Sequence, residues 1–192
     1  EKTPKVNSGT TAAGAVQSSA ISSGMTVSDG TPEAEVTLRM ALILRDRLLE
    51  EGYSVLMVRE TEDSQLDNVA RTVMANNLAD CHIALHWDST ASDKGVFFMS
   101  VPSAASYRSM EPVASHWEDH NRLGKALVDG LKGQGAKVCG NGEMEMDLTQ
   151  TSFSTVTSVD SELGEKASDH GGEARRRRAD GLTGGWKECV AK

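Results

Sequence analysis

The amino-acid sequence predicts an α/β fold: a single-domain twisted, mostly parallel sheet flanked by helices on both faces. From residue 32 onward, apolar runs of strand length alternate with segments whose apolar residues recur at helical spacing. Glycines such as Gly52 follow helical segments, where they commonly end a helix. The 192 residues suffice for one sizeable core and no linker divides them, so we treat 1–192 as one domain.

The first predicted helix begins near Pro32, because a missing N–H is tolerated in a first turn. Its apolar residues recur at helical spacing, namely Val36, Met40, Ile43, Leu44 and Leu48. After Gly52, the almost continuously apolar run 53–58 predicts a buried parallel strand. Further strands are predicted at 81–86, 95–101, 136–139 and 155–162, and further helices at about 66–74, 110–132 and 173–191.

The first 31 residues are rich in Ser, Thr, Gly and Ala and have no hydrophobic period, which predicts a long loop over 1–31. An α/β domain normally opens with a buried strand, and this segment contains no run that predicts one. We therefore expect the chain to start partway through its domain, with the opening strand absent.

The composition excludes several classes of partner. Acidic residues number 28 and basic residues 20, a net charge of −8 that leaves no basic face for nucleic acid. No run reaches the ~18 apolar residues that a membrane span requires. The three cysteines show no C-x-x-C spacing, which disfavours a cysteine zinc site. We expect a monomer with no nucleic-acid partner and no membrane span.

Three ionisable residues stand at the ends of predicted elements. Glu33 lies in a first helical turn, where the helix dipole favours a carboxylate. His86 and Glu162 each close a predicted strand. Ligands of open α/β sheets bind beyond the carboxyl ends of the strands, so these three side chains are candidates for one shared cleft. Each also has a structural interpretation, as a dipole partner or as a hydrogen-bonded residue at a strand end.

A series of short segments matches one known family in order. The segments are 32–38 (PEAEVTL), 48–55 (LLEEGYSV), 59–63 (RETED), Arg71, 75–76, 79–80, 83–86 (IALH), Gly95, 147–149 (DLT) and 162–164 (ELG). In these segments the chain resembles the zinc-dependent N-acetylmuramoyl-L-alanine amidases of the amidase-3 type. Because so many positions match in the right order, chance is a poor explanation.

The resemblance implies a role for each candidate residue. Zinc (Zn²⁺) in this family is held by His, Glu and His, and Glu33 and His86 match the last two ligands. Glu35 is an adjacent competitor of Glu33, but its offset from the following segment is wrong. Glu162 matches the catalytic Glu, which takes a proton from a zinc-activated water and passes it to the leaving amine. Trp87 and Asp88 follow the metal His directly, so they either contact the stem peptide or support the loop.

Two departures from the family pattern stand out. The first ligand of the family is a His after the opening strand, and this sequence has no His before His82. We therefore expect the chain to bind zinc weakly and to be inactive, with His116 or His120 as first suspects for a substitute ligand, although both are interpreted as surface or cleft-rim residues. The second departure is Asp160-Ser161, a polar pair where a buried strand favours apolar residues.

The function implied by the resemblance is peptidoglycan hydrolysis. The bond cleaved joins the lactyl group of N-acetylmuramic acid to L-alanine of the stem peptide. One alternative is a non-catalytic peptidoglycan-binding or regulatory module of the same fold, and another is a metal-dependent hydrolase of a different amide. The substrate is bacterial peptidoglycan, which places the protein outside the cytoplasmic membrane, secreted or at the cell wall. An autolysin, a sporulation enzyme and a phage endolysin all remain open.

Overall fold

The architecture is taken from a computed structural model, which describes residues 5–7, 17–19, 21–22, 24–62 and 66–191. The strands are β1 (Lys5–Asn7), β2 (Gln17–Ser19), β3 (Cys81–Asp88), β4 (Val96–Ser100), β5 (Val138–Glu145) and β6 (Thr157–Glu165). The helices are α1 (Glu33–Glu50), α2 (Asn68–Leu78), α3 (Ala105–Arg108), α4 (Val113–Gly133), α5 (Thr149–Phe153) and α6 (Gly172–Val190).

Four strands form the main sheet, in the order β3-β6-β4-β5. β3 runs parallel to β6, and β4 runs parallel to β5. β4 and β6 are antiparallel, so the sheet is mixed, with two parallel pairs and one antiparallel pair. The predicted α/β class is confirmed. The parallel pairing of β3 with β6 matters most for function, because it brings the carboxyl ends of both strands to the same edge of the sheet.

The two faces of the sheet differ in character. On one face, α1, α4 and α6 pack against the strands and enclose an apolar core. Its fully buried members include Val36, Met40, Phe98, Leu127 and Leu163. On the other face, α2 contacts β3 and α5 contacts β6. The predicted arrangement of helices on both faces is therefore present, and the side chains on the α2–α5 face are polar, as described below.

The core depends on a close approach of α4 and α6. Gly181 and Gly185 of α6 lie directly against the backbone of α4. A Cβ atom at Gly181 would lie 2.8 Å from the carbonyl oxygen of Gly130, and one at Gly185 would clash with the carbonyl of Ala126. Glycine is required here for space, since real Cβ atoms do not approach a backbone so closely.

The predicted strand at 53–58 is wrong, because the segment is irregular and no described strand pairs with it. Its side chains alternate between exposed and half-buried, and Leu56 is 47 % exposed. Tyr53 anchors the segment by an edge-on contact with Trp186, with ring centroids 5.7 Å apart. A strand is stable only when its backbone N–H and C=O groups find partners, and apolar composition alone does not supply them.

The N-terminal part of the chain contains more regular structure than the predicted loop over 1–31 allows. β1 and β2 pair antiparallel, with Val6 opposite Ser18, and Thr26 forms a bridge with Pro32. β5 is also longer than the predicted 136–139 strand, because it continues through Gly140 and Gly142, which both have positive φ. Among the residues that the structure describes, no helix has the length and apolarity needed to cross a membrane.

Replacement of Gly185 by alanine tests the close contact between α4 and α6. We expect Gly185→Ala to lower the free energy of unfolding by ~1–3 kcal/mol, because the added methyl group overpacks the contact. Gly184→Ala is the matched control on the same helix, since Gly184 is exposed and has open space around its Cβ position. It should raise the free energy of unfolding by ~0.5–1 kcal/mol through helix propensity. Urea unfolding of both variants measures this difference, and equal effects would contradict the packing explanation.

Candidate active site

The three candidate residues meet at the edge of the sheet where β3 and β6 end. Glu33 is the first residue of α1, and its carboxylate reaches His86 of β3. Glu162 of β6 is the direct neighbour of His86 in the parallel register. The structure therefore brings together all three residues that the sequence places at element ends. The site forms beyond the carboxyl ends of two parallel strands, as expected for an open α/β sheet.

The Glu33 carboxylate is held by three groups from two other segments. Its Oε1 atom lies 3.0 Å from Nδ1 of His86 and accepts the backbone N–H of Trp87 at 3.2 Å. Its Oε2 atom accepts the backbone N–H of Met25 at 2.9 Å. The side chain is almost entirely buried beneath Gly24, where a Cβ atom would lie 2.7 Å from Oε2. Burial opposes ionisation, but these hydrogen bonds and the charge of His86 outweigh it and lower the pKa of Glu33.

His86 lies between two carboxylates. Its Nδ1 atom faces Glu33, and its Nε2 atom lies 3.5 Å from Oδ2 of Asp160 on the neighbouring strand. The negative charge of Asp160 is the largest cause of a rise in the pKa of His86 to about 9, and burial only partly opposes it. In the absence of other cations, this imidazole therefore carries the positive charge at the centre of an acidic cluster.

Glu162 is the third carboxylate of the cluster. Its Oε2 atom is buried and has no hydrogen-bond partner among the described residues. Burial is the main cause of a rise in its pKa to about 8; His86 lowers this pKa, while Asp160 and Glu33 raise it further. A carboxyl group with a pKa near neutrality can both accept and return a proton, which is the property that general acid–base catalysis requires.

Asp160 is the member of the cluster that sequence reasoning missed. It precedes Glu162 by two residues and so shares its face of β6, because strand side chains alternate with a period of two. Burial raises the pKa of Asp160, while His86 and Arg71 act in the opposite direction. The alternation of Ser158, Asp160 and Glu162 was a signal that could have placed Asp160 beside the site. In the sequence, Asp160-Ser161 stood out only as a departure from an apolar strand.

Trp87 and Asp88 occupy different environments. The Trp87 side chain is 2 % exposed and packs in the apolar core, on the opposite face from His86. Its indole lies beneath the guanidinium of Arg178, whose Cζ atom is 5.4 Å from the ring centroid. Of the two interpretations of Trp87, the structure favours support of the fold over contact with a substrate. Asp88 is half-buried near Glu162 and pairs with Lys94 at 2.7 Å.

The remaining histidines lie away from the cluster. His120, expected at the surface or the cleft rim, is instead buried, and its Nδ1 atom accepts the backbone N–H of Ser158 at 2.9 Å. Ser158 is four residues before Glu162, roughly 13 Å along the strand, so His120 cannot complete a site there. His116 stacks on His120, and half-buried Glu35 pairs with Arg39 along α1. Burial lowers the pKa of His82 to about 4.

The donor atoms of Glu33 and His86 suit two positions of a zinc site. Zinc prefers imidazole nitrogen and carboxylate oxygen among its ligands, and two ligands of one tetrahedral zinc lie ~3.3 Å apart. The observed separation of Oε1 and Nδ1 is 3.0 Å. Within the described residues, no group of three or more His, Cys, Asp or Glu side chains is arranged to hold a metal ion. The pair therefore fits zinc, and no third described donor joins it.

Several solved structures share the fold of this chain. The N-acetylmuramyl-L-alanine amidase of Mycobacterium smegmatis matches with a TM-score of 0.79 and 21 % identity, covering 99 % of this chain and 89 % of that one. The apo form of the corresponding Mycobacterium abscessus amidase matches with a TM-score of 0.78 and 19 % identity, covering 98 % and 91 %. The CwlD amidase of Clostridioides difficile, solved in complex with the GerS lipoprotein, matches with a TM-score of 0.70 and 17 % identity, covering 88 % and 91 %.

A protein-family model described as N-acetylmuramoyl-L-alanine amidase matches residues 9–170. This range includes Glu33, His86 and Glu162 and covers most of the chain. No curated protein matches the chain. The family predicted from the short segments of the sequence is confirmed by this match, whereas the structural likenesses, all at low identity, show the fold alone.

The charge state of His86 can be tested by pH titration. In metal-free protein, we expect His86 to titrate near pH 9 and His82, four residues earlier, to titrate near pH 4. The folded pKa of His86 lies above the ~6.5 of an unfolded chain. Its stabilising contribution is therefore complete below pH ~6.5 and lost as the pH rises through about 9.

NMR titration, with His86 assigned by its loss in His86→Gln, measures both pKa values directly, and urea unfolding in the presence of chelator measures the fall in stability. A pKa for His86 at or below that of a free histidine would contradict the acidic environment described above.

Proposed function

The chain belongs to the N-acetylmuramoyl-L-alanine amidase family of peptidoglycan hydrolases, and from this premise we propose how its site performs the reaction. The bond cleaved joins the lactyl group of N-acetylmuramic acid to L-alanine of the stem peptide. The observation that carries the proposal is the contact of Glu33 with His86, 3.0 Å apart, with Glu162 on the adjoining strand. These are the three residues that the family resemblance selects.

Glu33 and His86 are the residues that would hold zinc. They offer one oxygen and one nitrogen from two separate elements, in an acidic environment that attracts a cation. The chemistry that zinc supplies in hydrolases is Lewis acidity, which acidifies water and polarises a carbonyl group. The backbone N–H groups of Met25 and Trp87 orient the Glu33 carboxylate without help from a metal.

Glu162 is the proposed general base and acid. It takes a proton from the attacking water and returns it to the nitrogen of L-alanine as the amide bond breaks. Both transfers need a group that titrates near the working pH, and the burial that raises the pKa of Glu162 to about 8 supplies that property. The unpartnered Oε2 atom leaves the carboxyl group available to an incoming proton donor.

The setting of this reaction follows from the substrate. Peptidoglycan lies outside the cytoplasmic membrane, so we propose that the protein is secreted or acts at the cell wall as an autolysin-type hydrolase. We also propose that it acts as a monomer, without a nucleic-acid partner. The acidic composition and the absence of a membrane-crossing helix among the described residues are consistent with this setting.

One observation favours an alternative function. Only two donors converge among the described residues, and catalytic zinc sites in proteins usually have three protein ligands. A peptidoglycan-binding or regulatory module of the same fold could keep the architecture without hydrolysing its ligand. The two functions differ in one measurable property, which is the release of new amino termini from peptidoglycan.

Hydrolysis of purified peptidoglycan tests the proposed activity. We expect the purified protein to release free L-alanine amino termini when zinc is in excess, because weak binding then no longer limits occupancy. Glu162→Gln should lower the rate by about 10²–10⁴-fold, since it removes the group that transfers protons. Asp88→Asn is a matched control, because Asp88 lies nearby but pairs with Lys94. An absence of released amino termini at every zinc concentration would exclude the enzyme and support the binding module.

Zinc binding is tested separately by calorimetric titration. We expect a dissociation constant in the micromolar range or weaker, because two protein ligands hold the ion less tightly than three. Glu33→Gln and His86→Gln should each abolish measurable binding, whereas His116→Gln, on α4, should leave it unchanged. A sub-micromolar dissociation constant would show that a further group completes the site.

A further inference from the structure

We propose that Asp160 is a positioning residue that holds the Nε2–H group of His86 and thereby turns Nδ1 toward Glu33 and the zinc position. The inference rests on the proposed function, because it assigns Asp160 a role in the same site. Neither the family resemblance nor the candidate residues taken from the sequence include Asp160. Its role follows from which nitrogen of the imidazole it faces.

The two carboxylates lie on opposite nitrogens of one ring. Glu33 lies 3.0 Å from Nδ1, and Asp160 lies 3.5 Å from Nε2. A neutral imidazole has one nitrogen that donates a hydrogen and one that accepts or binds a metal. With Asp160 against Nε2, the hydrogen belongs on Nε2, and the lone pair of Nδ1 is directed to the side of Glu33. A metal-binding histidine commonly donates its second N–H to a carboxylate in this way, which fixes the tautomer and the ring orientation.

The surroundings of Asp160 leave it few other tasks. The residue lies in the middle of β6, and its Oδ1 atom is buried without a hydrogen-bond partner among the described residues. A buried carboxylate is unfavourable unless charged or polar groups compensate it. The compensating charges are those of His86 and Arg71. An apolar residue would suit the strand better, so the position is explained by what Asp160 does for His86 rather than by the stability of β6.

Asp160 does not serve as a third ligand in this arrangement. A ligand of the same ion would have to lie on the Nδ1 side of the ring, together with Glu33. Asp160 lies on the Nε2 side, and no three-residue metal-holding group is found in the part of the chain that the structure describes. The two roles predict different results when Asp160 is replaced, because loss of a positioning residue weakens the site and loss of a ligand changes the coordination of the ion.

The test uses Asp160→Ala, Asp160→Asn and the control Ser161→Ala in the full chain. Alanine removes the acceptor, whereas asparagine keeps an acceptor oxygen without the charge. Ser161 is the adjacent buried residue of β6, and its Oγ atom also lacks a described partner, but it faces away from His86. Circular dichroism and urea unfolding establish that each variant is folded. If Asp160→Ala does not fold, Asp160→Asn carries the comparison.

Zinc affinity is the first measurement. Loss of a carboxylate that orients a metal-binding histidine typically weakens metal binding by about 10–100-fold. We expect this loss in Asp160→Ala, a smaller loss in Asp160→Asn, and no change in Ser161→Ala. The number of protein ligands seen by X-ray absorption of the zinc-loaded protein should be the same in Asp160→Asn as in the unmodified chain.

The tautomer of His86 is the second measurement, made by ¹⁵N NMR of the zinc-loaded protein. Zinc on Nδ1 with a hydrogen on Nε2, and a mixture of tautomers in Asp160→Ala, supports the proposal. Zinc on Nε2, an affinity unchanged by Asp160→Ala and Asp160→Asn, a lost ligand in Asp160→Asn, or no zinc binding by the unmodified chain would each overturn it.

Peptidoglycan hydrolysis is measured in parallel and separates the two proposals. If no amino termini are released while the affinity and tautomer results hold, the amidase mechanism fails and the role of Asp160 stands. If hydrolysis occurs but both readouts are indifferent to Asp160, the mechanism stands and the role of Asp160 fails.

Discussion

The site depends on the balance of charge around a single imidazole. Glu33, Asp160 and Glu162 surround His86 in a partly buried position, where like charges repel strongly and water screens them poorly. This surplus of negative charge explains three properties at once: the raised pKa of His86, the raised pKa of Glu162, and the suitability of the site for a cation. The fold brings these groups together by ending two parallel strands beside the start of a helix.

The alternation of side chains along β3 and β6 separates chemistry from packing. On β6, Val159 and Leu163 face the apolar core, while Asp160 and Glu162 face the opposite side. On β3, Trp87 is a core residue and its neighbour His86 belongs to the site. The apolar face fixes the register of the two strands, because a slip of one residue would move the whole apolar set out of the core. Packing on one face therefore positions the charged groups on the other.

Much of this arrangement could be predicted from the sequence. The helical period of α1 and the apolar run of β3 placed Glu33 and His86 at element ends, and both residues lie where that pattern puts them. The segment 53–58 was mispredicted because its composition is that of a buried strand, whereas pairing depends on a partner that local composition does not reveal. The burial of His120 could not be predicted for a similar reason, since its partner Ser158 lies 38 residues away. Asp160 was visible in the alternation of β6, but its meaning depends on the orientation of a ring on another strand.

The backbone N–H of Met25 has a consequence for the choice of ion. It occupies Oε2 of Glu33 beneath Gly24, so only Oε1 faces the neighbouring imidazole. The carboxylate is thereby restricted to monodentate coordination. Calcium, which takes six to eight oxygen ligands and often binds carboxylates through both oxygens, is poorly served by such a group. A small ion with low coordination number and an affinity for imidazole nitrogen suits it well. A single main-chain amide thus contributes to metal selectivity without touching the metal.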